Sequence, residues 1–284
     1  MTINLAMQRY DIFAILGAAG GHYFQTMDYD KIYYNSPIAI LQQVRTDDRG
    51  NIQRESVERA LLSIIGFALY GAYRKEMQPG SEPDDYDVRA FLKVTCEMGL
   101  ESLRVAPKEW VVWSMRIFGV YKDNRVIVGV DRDLLIGYLN NLDYKSNFEI
   151  IQLQAFLAIR SIIGVCCAKQ IKWLYVLSRM AGHEKAVKSV EALPDFIARY
   201  NSRRLRDKLI RALCDRWHMK YYGKNLGKGS PPWFSFDQDL DLEDHVSLIK
   251  VRKKRKTGVA APSNPEPVEV EILDPRIFGN STLW

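Results

Sequence analysis

The longest helical pattern in the chain runs over residues 146–182. Apolar residues recur there every three or four positions, which is the period of one face of an α-helix. Ser146 and Glu149 stand three apart, the spacing of a capping box, in which each side chain accepts a hydrogen bond from an unpaired backbone N–H at the helix start. Gly182 is the residue at which this predicted helix would end. The pattern predicts one buried helix about 50 Å long at 1.5 Å per residue, with a bend at Gly164.

Two other segments carry clear patterns. Residues 56–74 place apolar side chains on one side of a helix. Residues 110–130 read as two apolar runs separated by a turn of Lys122, Asp123 and Asn124, which predicts a β-hairpin. Together the patterns predict an α+β fold that is mainly helical, with a long central helix, a small β-hairpin element and a charged C-terminal extension.

A change of composition near residue 228 predicts the domain organisation. We expect a mainly helical body over 1–228 and a charged, proline-containing extension with a C-terminal arm over 229–284. A sub-boundary within the body is expected near 78–87, where proline, glycine and acidic residues cluster, or near 143–146.

The overall composition is that of a globular chain. Its 284 residues are 47% hydrophobic and 26% charged. The most apolar run, 155–168, is interrupted by Arg160 and is shorter than the roughly 20 residues of a membrane-spanning helix. The first residues lack the pattern of a secretory signal. We therefore expect no membrane association and a cytoplasmic location, or a nuclear one in a eukaryotic cell because of the basic run at 250–256.

Positive charge is concentrated in one stretch, which we call the basic segment (residues 199–228). It holds ten Lys or Arg residues and two acids, a net charge of +8, whereas the whole chain carries +6. Apolar residues recur every four positions from Leu205 on, which predicts a helix capped by Asn201 or Ser202 and ended by Gly223. The cations that lie off this apolar stripe, or in the loop after it, are the candidate phosphate contacts: Arg203, Arg204, Arg206, Lys208, Arg211, Arg216, Lys220, Lys224 and Lys228.

Aromatic residues follow the basic segment, at Trp233, Phe234 and Phe236. This order is typical of a surface for single-stranded nucleic acid, because cations contact the phosphates while rings stack on the bases. Arginine also forms paired hydrogen bonds with phosphate oxygens. We therefore predict a non-enzymatic subunit that binds RNA or DNA within a larger nucleoprotein assembly. The alternative is that the cationic face only keeps the protein soluble.

The extension contains blocks of opposite charge. Acidic residues cluster over 237–244, and six of the seven residues over 250–256 are cationic. Such runs are typical of interaction surfaces. Three cations of the second block are further candidate nucleic-acid contacts: Lys253, Lys254 and Arg255.

The end of the chain is apolar and follows a proline-rich stretch at 260–267. Ile277, Phe278 and Trp284 are too few to form a core of their own. We interpret them as an arm that binds another subunit, so an oligomer or a larger complex is expected. A structural adaptor that assembles through its helices and this arm is the second functional hypothesis, and packing of the arm on its own body is the alternative.

No catalytic constellation is visible, so neither enzymatic activity nor a cofactor is predicted, and a nucleic-acid-processing enzyme is the third hypothesis. The four cysteines, Cys96, Cys166, Cys167 and Cys214, have neither the spacing of a disulfide framework nor that of a zinc site. They are expected to be reduced and mostly buried. Cys214 and His218 lie four apart on the predicted helix, but no second pair completes a metal site.

Overall fold

The computed structural model describes residues 31–35, 38–76, 107–121, 123, 127–164, 166–224, 226 and 229–256. Short 3-10 helices connect several of the main elements in these ranges, at Ile38–Gln43, Leu142–Tyr144, Val190–Ala192 and Arg199–Asn201. The described residues form eight α-helices and five β-strands: β1 (Lys31–Asn35), α1 (Arg54–Glu76), α2 (Pro107–Tyr121), β2 (Ile127–Asp131), α3 (Arg132–Asn140), α4 (Asn147–Ile163), β3 (Ala168–Gln170), α5 (Trp173–Met180), α6 (Asp195–Ala198), α7 (Arg203–Trp217), β4 (Lys220–Tyr222), β5 (Trp233–Ser235) and α8 (Leu242–Lys256). The predicted mainly helical α+β fold is confirmed.

Helix α4 is the centre of the core, and its start is the one predicted. The Ser146 hydroxyl accepts a hydrogen bond from the Glu149 N–H at 3.2 Å, and a Glu149 carboxylate oxygen accepts one from the Ser146 N–H at 2.9 Å. Twelve of the seventeen residues of α4 are buried, so it is covered on nearly all sides. Helices α5 and α7, strand β2 and the sheet strands β3 and β5 contact it.

The prediction of a single helix over 146–182 is wrong. Helix α4 ends at Ile163, and Gly164 takes a φ of +62°, in the left-handed region that glycine adopts at low cost. The Lys169 ammonium then donates to the Ile162 carbonyl at 2.8 Å, which gives a carbonyl of the last helical turn a partner. The chain forms β3 before α5 begins, and the apolar period continues across this break because both helices face the same core.

Two antiparallel sheets accompany the helices within the described ranges. Strand β1 pairs with β2, Lys31 opposite Asp131. In the second sheet β5 lies between β3 and β4, so Phe234 stands opposite both Lys169 and Tyr221. This second sheet joins the end of α4 to the segment that follows α7.

The predicted hairpin over 110–130 is also wrong. Its first half is helix α2, and its second half, β2, pairs with β1. Pro107 occupies the first helical position and Glu109 lies in the first turn, and both residue types favour a helix start. A short apolar run fits either a strand or a buried helix, so the alternation misled the interpretation.

Helix α1 confirms the helix predicted over 56–74 and packs against α2. Phe67 and Phe118 stack with ring centroids 4.7 Å apart. A Cβ atom on Gly66 would lie 2.3 Å from a Trp113 ring atom, so the absence of a side chain allows the two helices to approach.

The chain divides into two compact units after Leu242. The first contains α1 to α7 and both sheets, and the second contains α8 from Glu243 on. The domain boundary expected near 228 falls between β4 and β5, which are adjacent strands of one sheet. Of the two expected sub-boundaries, 78–87 lies outside the described residues, and 143–146 is the connection into α4.

Candidate nucleic-acid interface

Helix α7 presents the cations of the basic segment. Leu209, Ile210, Leu213 and Trp217 are buried along its inner face, which fixes its orientation on the core. The helix ends at Trp217, and the next residue, His218, takes a φ of +52°. The predicted continuation to Gly223 is wrong because the chain turns there and pairs as β4 with β5.

Arg204, Lys208 and Arg211 lie on the face of α7 turned away from the core, and we call these three residues the outward row. Their spacing of four and three places them in line on one helix face, and all three are exposed. None forms an ion pair with a carboxylate of the described residues. Lys208 places its ammonium 4.5 Å from the centre of the Phe148 ring.

Two further arginines of α7 are partly neutralised by Asp207. The Arg203 and Arg206 Nε atoms lie 3.7 and 3.8 Å from its carboxylate oxygens. The Arg203 side chain is 88% exposed, so its ion pair is strongly screened by water. Both arginines stay candidate phosphate contacts with a competing carboxylate beside them.

Arg216 and Lys220 are engaged within the fold, and we call them the bound cations. An Arg216 Nη1 donates to a Glu149 carboxylate oxygen at 2.9 Å. The Lys220 ammonium donates to the backbone carbonyls of Gln238 and Leu240, the latter at 2.7 Å. These two predicted phosphate contacts therefore connect α7 and β4 to other parts of the first compact unit.

The remaining predicted contacts divide between described and undescribed residues. Lys224 is exposed in the turn after β4, while Lys228 lies outside the described residues. Lys253, Lys254 and Arg255 fall on α8, and their side chains lie outside the description. The predicted arm lies outside the described residues as well: Ile277, Phe278 and Trp284.

The aromatic residues after the basic segment are mainly structural. Phe234 is fully buried, so its predicted role as a stacking platform for bases is wrong. Phe236 packs edge-on against Phe156 with centroids 5.2 Å apart, and an arginine of α4, Arg160, lies over its ring. Sequence reasoning missed Tyr221, which it placed on the inner stripe of α7 and which is 41% exposed on β4.

The surroundings of Tyr221 place it beside α7. Burial raises the pKa of its phenol, and the positive charge of Arg206 opposes that rise. The phenol therefore stays protonated near neutral pH and offers a hydrogen-bond donor next to the cations of α7.

The cysteines differ from expectation in burial. Cys166 and Cys167 are exposed, between α4 and β3, rather than buried, and Cys214 is half-buried on α7. Burial raises the pKa of the Cys214 thiol, and the nearby Asp215 carboxylate adds to the rise. The described ranges contain no group of three or more His, Cys, Asp or Glu side chains placed to hold a metal ion.

Comparison of the chain with protein-family models, with curated proteins and with solved structures finds no match. A search of the described helices finds none with the length and apolar character needed to cross a membrane.

Proposed function

We propose that this protein is a non-enzymatic nucleic-acid-binding subunit of a larger nucleoprotein assembly, and that the outward row of α7 contacts phosphates. The observation that carries the proposal is the state of Arg204, Lys208 and Arg211: all three are exposed on one helix face and have no carboxylate partner among the described residues. A polyanion can therefore bind them without breaking an ion pair.

The dimensions of the outward row suit a phosphate chain. From Arg204 to Arg211 the helix rises about 10 Å at 1.5 Å per residue, which corresponds to roughly three phosphate steps along one strand of a duplex. Two of the three side chains are arginines, whose guanidinium groups form paired hydrogen bonds with phosphate oxygens. Tyr221 adds an exposed ring near α7.

The adaptor hypothesis predicts a different use of the same surface. In that case the cations of α7 serve only to keep the surface solvated, and partners bind through the predicted arm at Ile277, Phe278 and Trp284. Binding to nucleic acid would then be weak and would not depend on which surface cations are present.

The test is a salt series with labelled single-stranded and duplex oligonucleotides. Its test variant replaces Arg204, Lys208 and Arg211 with Ala. The matched control replaces three other exposed cations, Arg49, Lys185 and Lys188, with Ala, so both variants lose the same formal charge.

We expect the parent to weaken steeply as salt rises, because phosphate binding releases counterions. The variant that lacks the outward row should lose affinity, and the slope of log K against log salt should fall by about 2, since each phosphate contact on a single strand contributes about 0.7. The control should keep the parent's slope. Equal losses in the two variants would mean that only net charge matters and would remove the outward row as an interface.

A further inference from the structure

Helix α8 carries apolar residues on two opposite faces. Leu242 and Val246 are buried, whereas Leu248 and Val251 are 61% and 48% exposed. At about 100° per residue, Leu248 and Val251 lie on the side of the helix opposite to Val246. Residues three apart are neighbours on a helix surface, so this exposed pair forms one apolar contact for another helix.

The exposed apolar pair is the middle of a longer stripe. Asp244 stands four residues before Leu248, and Arg255 stands four residues after Val251. Steps of four, three and four residues keep to one side of a helix and form the seam of a coiled coil. We call Asp244, Leu248, Val251 and Arg255 the α8 seam, which is about 17 Å long at 1.5 Å per residue.

The α8 seam is complementary to a second copy of itself that runs in the opposite direction. With a two-fold axis at the middle of the seam, Leu248 of each copy meets Val251 of the other, and Asp244 of each copy meets Arg255 of the other. In a parallel pair Asp244 would meet Asp244 and Arg255 would meet Arg255, and like charges placed together are unfavourable. The charges therefore select the antiparallel arrangement.

The charges beside the seam have the same polarity. Glu243 joins Asp244 in the first turn of α8, and all five residues over 252–256 are cationic. An antiparallel pair brings the acidic end of each helix to the basic end of the other, which favours both association and this orientation.

We propose that α8 is a dimerisation helix and that its partner is α8 of a second copy of this chain in antiparallel orientation. The two-fold axis makes the contact isologous, so each residue pair forms twice. Four side chains per copy bury less area than the roughly 1,200–2,000 Å² of a stable interface, so the dimer is weak and depends on concentration. The contact is separate from the predicted arm. It pairs Arg255 with a carboxylate rather than with the phosphate predicted from the sequence.

The test is sedimentation equilibrium of the full chain over a concentration series, at low salt and without nucleic acid. Asp244→Arg places arginine against arginine at both ends of the paired seams, and Arg255→Asp places aspartate against aspartate. The matched control is Glu243→Arg, which makes the same change of charge as Asp244→Arg at a position about 100° away around the helix and off the seam.

Each seam variant should self-associate about tenfold or more weakly than the parent, because two exposed charge pairs per dimer change from attraction to repulsion. An equimolar mixture of Asp244→Arg and Arg255→Asp should recover association, since every arginine of one variant then meets an aspartate of the other. This recovery also shows that neither variant has lost the helix. Glu243→Arg should associate like the parent.

Three results would overturn the inference: a seam variant that associates like the parent, a mixture of the two that stays monomeric, or a parent that stays monomeric up to about 1 mM, a concentration that detects even weak contacts. Association that only the removal of residues 268–284 abolishes would assign assembly to the predicted arm and likewise overturn it. Nucleic acid is absent from the test, so these results do not bear on the proposed function.

Discussion

Arg211 and Arg216 belong to the same helix and carry the same charge, but they meet different surroundings. Arg211 is exposed on the outward row, and among the described residues its guanidinium donates a hydrogen bond to the backbone carbonyl of Asp207, at 3.4 Å. Arg216 lies five residues further on and forms an ion pair with Glu149 at 2.9 Å. At about 100° per residue, the step of five residues between them turns the helix by about 500°, so the two side chains lie on different faces of α7. One is exposed, and the other connects two helices.

The comparison shows that net charge overstates the number of cations available to a ligand. The basic segment counts +8 in sequence, but Lys220 is tied to backbone carbonyls and Arg216 to a carboxylate. Hydrogen bonds from a charged group to partners within the fold contribute to stability, whereas an exposed cation with no partner contributes little. The two classes should therefore separate in mutants: the bound cations act on stability, and the outward row acts on binding.

The largest expected difference in stability is between two variants that place aspartate at adjacent positions of α7, Leu209 and Lys208. Leu209 is fully buried and Lys208 is exposed. Leu209→Asp should lower the free energy of unfolding by about 4 kcal/mol or more, because it removes a core side chain and buries a charge. Lys208→Asp should cost about 1 kcal/mol, from the lost contact with Phe148 and the lower helix propensity of aspartate. Thermal and urea unfolding measure both.

A conservative control accompanies this pair. Leu209→Met keeps the volume of the side chain and should cost less than about 1.5 kcal/mol. Similar melting curves for Leu209→Asp and Lys208→Asp would mean that the inner and outer faces of α7 are assigned wrongly.

A smaller difference in stability is expected between variants of Lys220 and of Arg204. Lys220→Met leaves the carbonyls of Gln238 and Leu240 without their ammonium donor, which should cost about 2 kcal/mol at about 1 kcal/mol per hydrogen bond. Arg204→Met removes an exposed cation and should change stability by less than about 0.5 kcal/mol. Oligonucleotide binding should show the reverse order, with a reduced salt slope for Arg204→Met only. A reduced slope for Lys220→Met would move Lys220 into the interface.

The features that the sequence predicted correctly depend on local signals. The start of α4 follows from Ser146 and Glu149, whose side chains and backbone lie within one helical turn. Helix α1 and the inner face of α7 follow from apolar residues at helical spacing. The exposure of Arg204, Lys208 and Arg211 follows from the same spacing, because they stand opposite the buried positions of their own helix.

The features that the sequence did not predict depend on distant partners. The break after Ile163 is completed by β3 pairing with β5, more than sixty residues away, and β2 pairs with β1 across about a hundred residues. The partners of Lys220 and the burial of Phe234 likewise arise where separate segments meet. No periodicity within one segment carries that information, so the sequence could not separate bound cations from free ones.

The smallest effect concerns Glu149, which holds the bound cation Arg216 and also caps α4. Glu149→Gln can keep the capping hydrogen bonds but loses the charge, so it should cost about 1 kcal/mol or less. Glu149→Ala loses the cap and the ion pair together and should cost about 1–2 kcal/mol. The difference between the two variants isolates the capping hydrogen bonds from the attraction to Arg216.

The pH dependence of the free energy of unfolding tests whether the ionised Glu149 stabilises the folded protein. The folded-state pKa of Glu149 is lowered, chiefly by the Ser146 N–H and also by Arg216, so the ionised carboxylate favours the folded protein. Its contribution is complete above the ordinary glutamate pKa of about 4.3 and is lost as the pH falls through the lower folded-state value. Urea unfolding from pH 7 to pH 3 should therefore show the parent's advantage over Glu149→Gln shrinking only below about pH 4.3. A constant difference over the whole range would mean that the charge of Glu149 contributes nothing to stability, whether through the Ser146 N–H or through Arg216.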